Sequence, residues 1–158
     1  MTFKGMEDYI AQLQRLQNVS RECIGRSVYE GAGLVADKVK DAIQALPIDN
    51  RSFVKDGEML NGINTIQKAG LIEGFGISPM QDDNGYLNVK LGFEGYNNLR
   101  TKAFPNGQPN SMIARSVNSG SSFRQRIPFV DQAVRSNKSA CEQKMKEQFD
   151  KEVKKVIS

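Results

Sequence analysis

Five cations are the residues of this chain whose type and spacing could do chemistry. Arg100, Lys102, Arg115, Arg124 and Arg126 all fall within residues 95–130, a stretch without a single Asp or Glu. Uncompensated guanidinium and ammonium groups attract phosphate and carboxylate, so the segment reads as a contact surface for DNA or for an acidic protein neighbour. The whole chain holds 22 Lys and Arg against 18 Asp and Glu, a formal net charge of +4. Setting the five aside leaves 17 basic residues against 18 acidic ones, so the remainder is −1. Tyr96, Phe104 and Phe123 interleave with the cations but are too dispersed to form a platform for successive bases.

Other chemistries have less to stand on. The 158 residues include no His, which excludes Ser-His-Asp and Cys-His machinery and every His-ligated metal. Cys23 and Cys141 are too few for a structural zinc site or a disulfide scaffold. They read as free thiols in a reducing compartment, with Cys141 buried on an apolar stripe. Gly74-Phe75-Gly76 lacks the third glycine of a dinucleotide fingerprint and reads as a bulged strand. Asp82-Asp83-Asn84-Gly85 lacks the twelve-residue calcium loop and reads as a hairpin tip. Asp37 and Asp41 share a helix face, and a magnesium-dependent carboxylate nuclease has only such ordinary acidic residues behind it. No catalytic, cofactor-binding or metal residue is assigned, and the chain reads as a non-enzyme that needs no cofactor.

The elements that must carry the basic segment follow from periodicity. Met6, Tyr9, Ile10, Leu13 and Leu16 predict a short first helix, ended by Asn18 and capped anew at Ser20. Ile24, Val28, Ala32, Val35, Val39, Ile43 and Leu46 recur at steps of three and four and predict a long helix over 21–45, stopped at Leu46-Pro47. Gly25, Gly31 and Gly33 inside it point either to close approach of another backbone or to a kinked, frayed helix. Alternation predicts strands over 71–78 and 86–93, joined as an antiparallel hairpin through Asn84-Gly85. Residues 95–127 have the composition of a long loop or arm, with a short helical or strand element around Met112, Ile113 and Val117. After Pro128 an apolar stripe from Val130 to Ile157 predicts helix again, interrupted near 136–139.

The expected fold is therefore α+β in one domain over 1–158. N-terminal helices and a C-terminal helix pack on a small, mainly antiparallel sheet that carries a long basic loop. The predicted core is Val28, Val35, Val39, Ile43, Leu87, Val89, Leu91, Phe93, Phe129, Met145 and Phe149. No apolar run approaches the ~18 residues of a membrane span, and residues 1–10 lack the apolar region of a signal peptide. Synthesis in the cytoplasm, with no membrane partner, is expected.

The run from Ala114 through Val117, Gly120, Ser121, Arg124, Arg126, Pro128 and Phe129 to Ala133 resembles the tail-component family of long-tailed bacteriophages. Members of that family are described as tail-completion, head–tail joining or minor tail proteins. Val117, Gly120, Ser121, Pro128, Phe129 and Ala133 match its pattern, while Asn118 stands where Glu is common and Ser119 where an aromatic is. Residues 67–77 and 87–97 are similar to one subgroup, and the likeness covers residues 20–157. The resemblance implies a structural neck protein with Gly120, Pro128 and Phe129 as anchors. It implies a homo-oligomeric ring, connector (stopper) and tail terminator or tube proteins as partners, and non-specific contact with DNA in the lumen. It also implies residence in the bacterial cytoplasm during assembly and then in the virion. A small non-specific nucleic-acid-binding protein is the alternative that the cations leave open.

Overall fold

Apolar side chains at steps of three and four build one helix face, and α1 realises that pattern over Lys4–Gln44, 41 residues and about 60 Å long. In the computed structural model the backbone of residues 4–157 and the side chains of residues 20–156 are described. The break expected at 18–20 is absent. Asn and Ser in a helix interior cost only a few tenths of a kcal/mol relative to better formers, less than opening two further helix ends. The stripe from Met6 to Leu16 lies outside the described side chains. The stop before Pro47 is observed: Ala45 N donates to Asp41 O at 3.0 Å and Leu46 N to Ile43 O at 3.1 Å. Lys68 brings a cation to that carbonyl-rich end, its Nζ donating to Gln44 O at 2.6 Å and Leu46 O at 2.9 Å.

Eight elements follow: α2 Thr65–Gly74, β1 Phe75–Ile77, β2 Gln81–Asp83, β3 Tyr86–Asn88, β4 Leu91–Phe93, α3 Asn110–Ser119, α4 Phe129–Ser136 and α5 Lys138–Ile157. The fold is α+β. The strand expected over 71–78 is corrected, because Leu71–Gly74 are helical. A capping box starts that helix: Gln67 N donates to Asn64 Oδ1 at 2.8 Å and Asn64 N to Gln67 Oε1 at 3.1 Å. The hairpin exists as two short antiparallel pairs, β1 with β4 (Phe75 opposite Phe93, Ile77 opposite Leu91) and β2 with β3 (Asp83 opposite Tyr86). Asn84 and Gly85 both take positive φ at its turn, 55° and 89°.

The chain divides into two compact units. The first comprises the residues up to Leu34, Pro79–Val89 and those from Ser139 on. Its interior contains Cys23 and Ser27, with Glu152 beside them accepting from Arg26 Nε. Cys141 is half-buried, and neither thiol is in a disulfide. Gly31 meets side chains rather than backbone: a Cβ there would lie 2.4 Å from Met145 Cγ and 3.0 Å from Cys141 Sγ. Val28, Leu87, Val89, Met145 and Phe149, expected in the core, are only half-buried. β2 and β3 are a two-stranded ribbon without a second layer of strands to cover both faces.

The second unit, Val35–Ser78 and Lys90–Lys138, holds the larger core. Val35, Val39, Ile43, Leu46, Ile63, Leu71, Ile113, Val117 and Phe129 are buried in it. α2 and α3 pack on each other and on β4. Residues 95–130 are not one loop. Asn97, Asn110, Ile113, Ala114, Val117 and Arg124 within them are buried, and α3 occupies the middle. Buried Asn side chains supply the hydrogen bonds that strands would otherwise provide.

Two glycines in helices differ in what surrounds them. A Cβ at Gly70 would lie 2.5 Å from Asn110 Oδ1 and 2.7 Å from Asn97 Cβ, whereas at Gly33 nothing among the described residues lies within 4 Å. Gly70→Ala should destabilise by about 1–3 kcal/mol through overpacking. Gly33→Ala should stabilise by about 0.5–1 kcal/mol through helix propensity. Denaturant midpoints measured on both variants check the pair, and equal signs would contradict the packing described.

Candidate functional site: an arginine-lined cavity

The second unit contains a cavity of about 1030 Å³. α3 supplies one wall. Ala114 and Val117 turn to the core, and Met112, Ile113, Arg115, Ser116 and Ser119 line the cavity. Arg115 is exposed.

Arg124 is also in the lining, and its backbone is tied on both sides. Ser121 N donates to Arg124 O at 3.0 Å, and Arg124 N donates to Ser121 Oγ at 3.1 Å. The neighbours of Arg124 pair with Leu60: Leu60 N donates to Phe123 O and Gln125 N to Leu60 O, each at 2.8 Å. The Arg124 side chain is consequently 4% exposed, and its Nε and Nη1 have no hydrogen-bond partner among the described residues. The Phe123 ring lies 5.7 Å from its guanidinium carbon. Burial pushes the Arg124 guanidinium down from its ordinary value, with the Asp49 charge acting in the opposite direction. Ser116 Oγ is also buried without a hydrogen-bond partner among the described residues.

The third cation is Arg51, which the sequence analysis did not single out. It grips Asp49 in a fork, Nε to Oδ1 at 2.9 Å and Nη2 to Oδ2 at 2.6 Å. Asn61 N adds a bond to Oδ2 at 2.9 Å. Arg51 and the Asn61 amide hold the Asp49 carboxyl well below the usual carboxylate range. Phe53, Leu60, Leu99 and Phe123 are among the apolar residues of the lining.

The structure thus gathers two of the five expected cations, Arg115 and Arg124, at one cavity. Arg100, Lys102 and Arg126 are exposed and outside its lining. Arg126 donates through Nε to Asn118 O at 3.2 Å and pairs with Asp131 at 3.7 Å. Asn50-Arg51 and Ser116 carried no sequence signal as site residues, because their meeting depends on the Leu60–Arg124 bridge. The arrangement is suited to holding an anion by charge and hydrogen bonds.

The anchors lie next to the cavity in the chain. Gly120 ends α3 with φ 78°. Pro128 precedes α4 and has no capping side chain, so Asn118 serves instead, its Oδ1 accepting from Val130 N at 3.1 Å and Asp131 N at 3.2 Å. Phe129 is 3% exposed, with its ring 6.2 Å from Phe93, which is 5.1 Å from Phe75. Comparison with protein-family models, with curated proteins and with solved structures gives no match. Among the described residues no helix is long and apolar enough to cross a membrane.

Asp49 makes stability pH-dependent in a defined sense. Its folded value is lowered, so its contribution is complete above the unfolded value, about 3.9, and is lost as pH falls through the folded value. The stability difference between the native protein and Asp49→Asn should stay constant from pH 7 to about 5 and shrink below about 4. Denaturant titrations across that range measure it, and a gap that widens on acidification would contradict the Asp49–Arg51 assignment.

Proposed function

We propose that this chain is a structural protein of the head–tail neck of a long-tailed phage or prophage, joining or completing the tail through contacts with its own copies and with adjacent neck proteins. One observation carries the reading. Residues on which the resemblance rests act together as one piece of the second unit: Gly120 turns the chain out of α3, and Pro128-Phe129 seats α4 against Phe93. A segment of matching residues that also shares one packing role is harder to obtain by chance than the matches alone. Exposed Phe53, Tyr86 and Tyr96, at 80%, 74% and 67%, are surface that subunit contacts would bury.

Non-specific nucleic-acid binding, the alternative, is weakened by the placement of the cations. Arg124 is buried and Arg126 already engages Asp131, which leaves Arg100, Lys102 and Arg115 as the exposed cations of residues 95–130 with no acidic partner among the described residues. Three phosphate contacts give only a shallow dependence of affinity on salt.

Deleting the gene from the phage genome that encodes it should leave full heads and finished tails unjoined, or tails malformed, as counted by electron microscopy of lysates. Complementation with the native chain should restore infectious particles, and Phe129→Ala should restore far fewer, since truncating a buried Phe costs about 3–5 kcal/mol. Infectious particles formed normally without the gene would sink the neck reading.

A further inference from the structure

We infer that the mouth of this cavity is a two-fold contact surface between two copies of the chain, each seating Phe53 of the other. Such a pair is one of the contacts between copies that the neck reading calls for. It rests on that reading for its place in a particle and is measured apart from it. The first ground is the composition of the mouth. Residues that line the cavity and are also exposed mark its opening: Phe53 is 80% exposed, Phe123 49% and Met112 36%, with Arg51 and Arg115 exposed among them. Aromatic residues, Met and Arg are the types enriched where proteins meet. A single copy gains nothing from a Phe held in water beside an apolar hollow. A small molecule inside the hollow would leave most of Phe53 in water, whereas a second protein surface covers it.

The second ground is symmetry. In a two-fold pair the same patch meets itself, so what one copy inserts it also receives. Phe53 is part of the mouth, and two mouths brought face to face set each Phe53 over the opposite opening. The cavity, about 1030 Å³, is far larger than one ring, and Leu60, Leu99, Ile113 and Phe123 give it apolar walls. The third ground is charge. After Phe53 the chain makes an exposed turn, closed by Glu58 N donating to Lys55 O at 2.9 Å, with Gly57 at φ 85°. Lys55 against Asp56 and Glu58 leaves this turn one negative charge. At the mouth Arg51 is neutralised by Asp49, so Arg115 remains as an exposed cation with no acidic partner among the described residues. Asp56 is likewise exposed, with no basic partner among the described residues. In the pair, Asp56 of each copy meets Arg115 of the other. Twenty-one residues line the cavity, the low end of the roughly 20–30 that one side of a standard interface engages, so a dissociation constant of about 1–100 μM is expected.

Sedimentation equilibrium of the full chain from about 1 to 300 μM spans that range. A reversible species of twice the 17.6 kDa of one chain is expected. Phe53→Ser should weaken pairing about tenfold or more, with the urea midpoint unchanged because the ring is exposed. Arg115→Glu should weaken it several-fold, and adding Asp56→Arg to the same chain should restore it. Tyr86→Ser, 74% exposed in the other unit, should leave pairing unchanged. Where other surfaces add further copies, Phe53→Ser should halve the mass. A chain still monomeric at about 300 μM, pairing indifferent to Phe53→Ser, equal loss with Tyr86→Ser, or no rescue by the charge exchange overturns the inference. A larger oligomer reduced to single chains by Phe53→Ser also overturns it, because a two-fold contact closes at two copies. The neck reading stands or falls on the gene deletion, whichever of these results is obtained.

Discussion

The second unit depends on two positions where a side chain is missing. Gly70 and Gly74 are one turn apart on α2, and a Cβ on Gly74 would lie 2.3 Å from Glu94 O and 2.5 Å from Asn110 Nδ2. With hydrogen there instead, the chain after β4 and the start of α3 come down onto the helix. Asn110 then holds the junction, donating through Nδ2 to Glu94 O at 2.9 Å and through N to Gly95 O at 3.0 Å. Asn97 works beside it: its Oδ1 accepts from Leu99 N and Gln108 N, each at 3.0 Å. Gln67 closes the circuit, capping α2 with its Oε1 and donating through Nε2 to Gln108 Oε1 at 3.0 Å. The direction of α3 is set by this junction, and with it the stripe of Arg115 and Ser116 that faces the cavity. A packing constraint on α2 thus reaches the site through three amide side chains.

Much of the frame was legible in sequence, for identifiable reasons. The three- and four-residue steps from Ile24 to Ile43 are long enough to outweigh interior glycines, and Pro47 stops a helix by steric exclusion. Asn84-Gly85 names its turn because few other pairs accept positive φ twice. The break between α4 and α5 is at Asn137, within the interval where the apolar stripe is interrupted. Phe129 was read as an anchor and is buried.

The failures share a cause. Leu71, Phe75 and Ile77 have strand parity, yet the capping box of Asn64 and Gln67 commits the chain to helix six residues upstream of where alternation would act. In 95–130, Asn, Gly and Pro have the same composition whether they solvate a loop or lock a buried junction. Only the glycines of α2, distant in sequence, make them a junction. Cations are equally ambiguous. All five count as +1, but Arg126 has a partner on the surface while Arg124 is buried by the Leu60 bridge. Sequence periodicity reports the local environment of a residue, and these residues take theirs from remote segments.

The state of Arg124 follows from the way Asp49 is used. Asp49 is the acidic residue whose charge acts on Arg124, and a direct pair between them would remove the cost of a buried, unpartnered guanidinium. Its oxygens are already engaged. Oδ1 accepts from Arg51 Nε and, at 3.3 Å, from Arg51 N, while Oδ2 accepts from Arg51 Nη2 and Asn61 N. Four donors saturate a carboxylate. Arg51 in turn is held by Met59 O at 3.1 Å and by Glu58 at 3.6 Å, so the fork that occupies Asp49 is itself braced. The arrangement keeps the acid of the cavity paired and leaves Nε and Nη1 of its buried cation without a hydrogen-bond partner among the described residues. Stability alone favours the opposite pairing, with Arg51 left to water and Arg124 neutralised. The buried Arg124 guanidinium is left with the Phe123 ring 5.7 Å from its carbon and with Nε and Nη1 without a hydrogen-bond partner among the described residues.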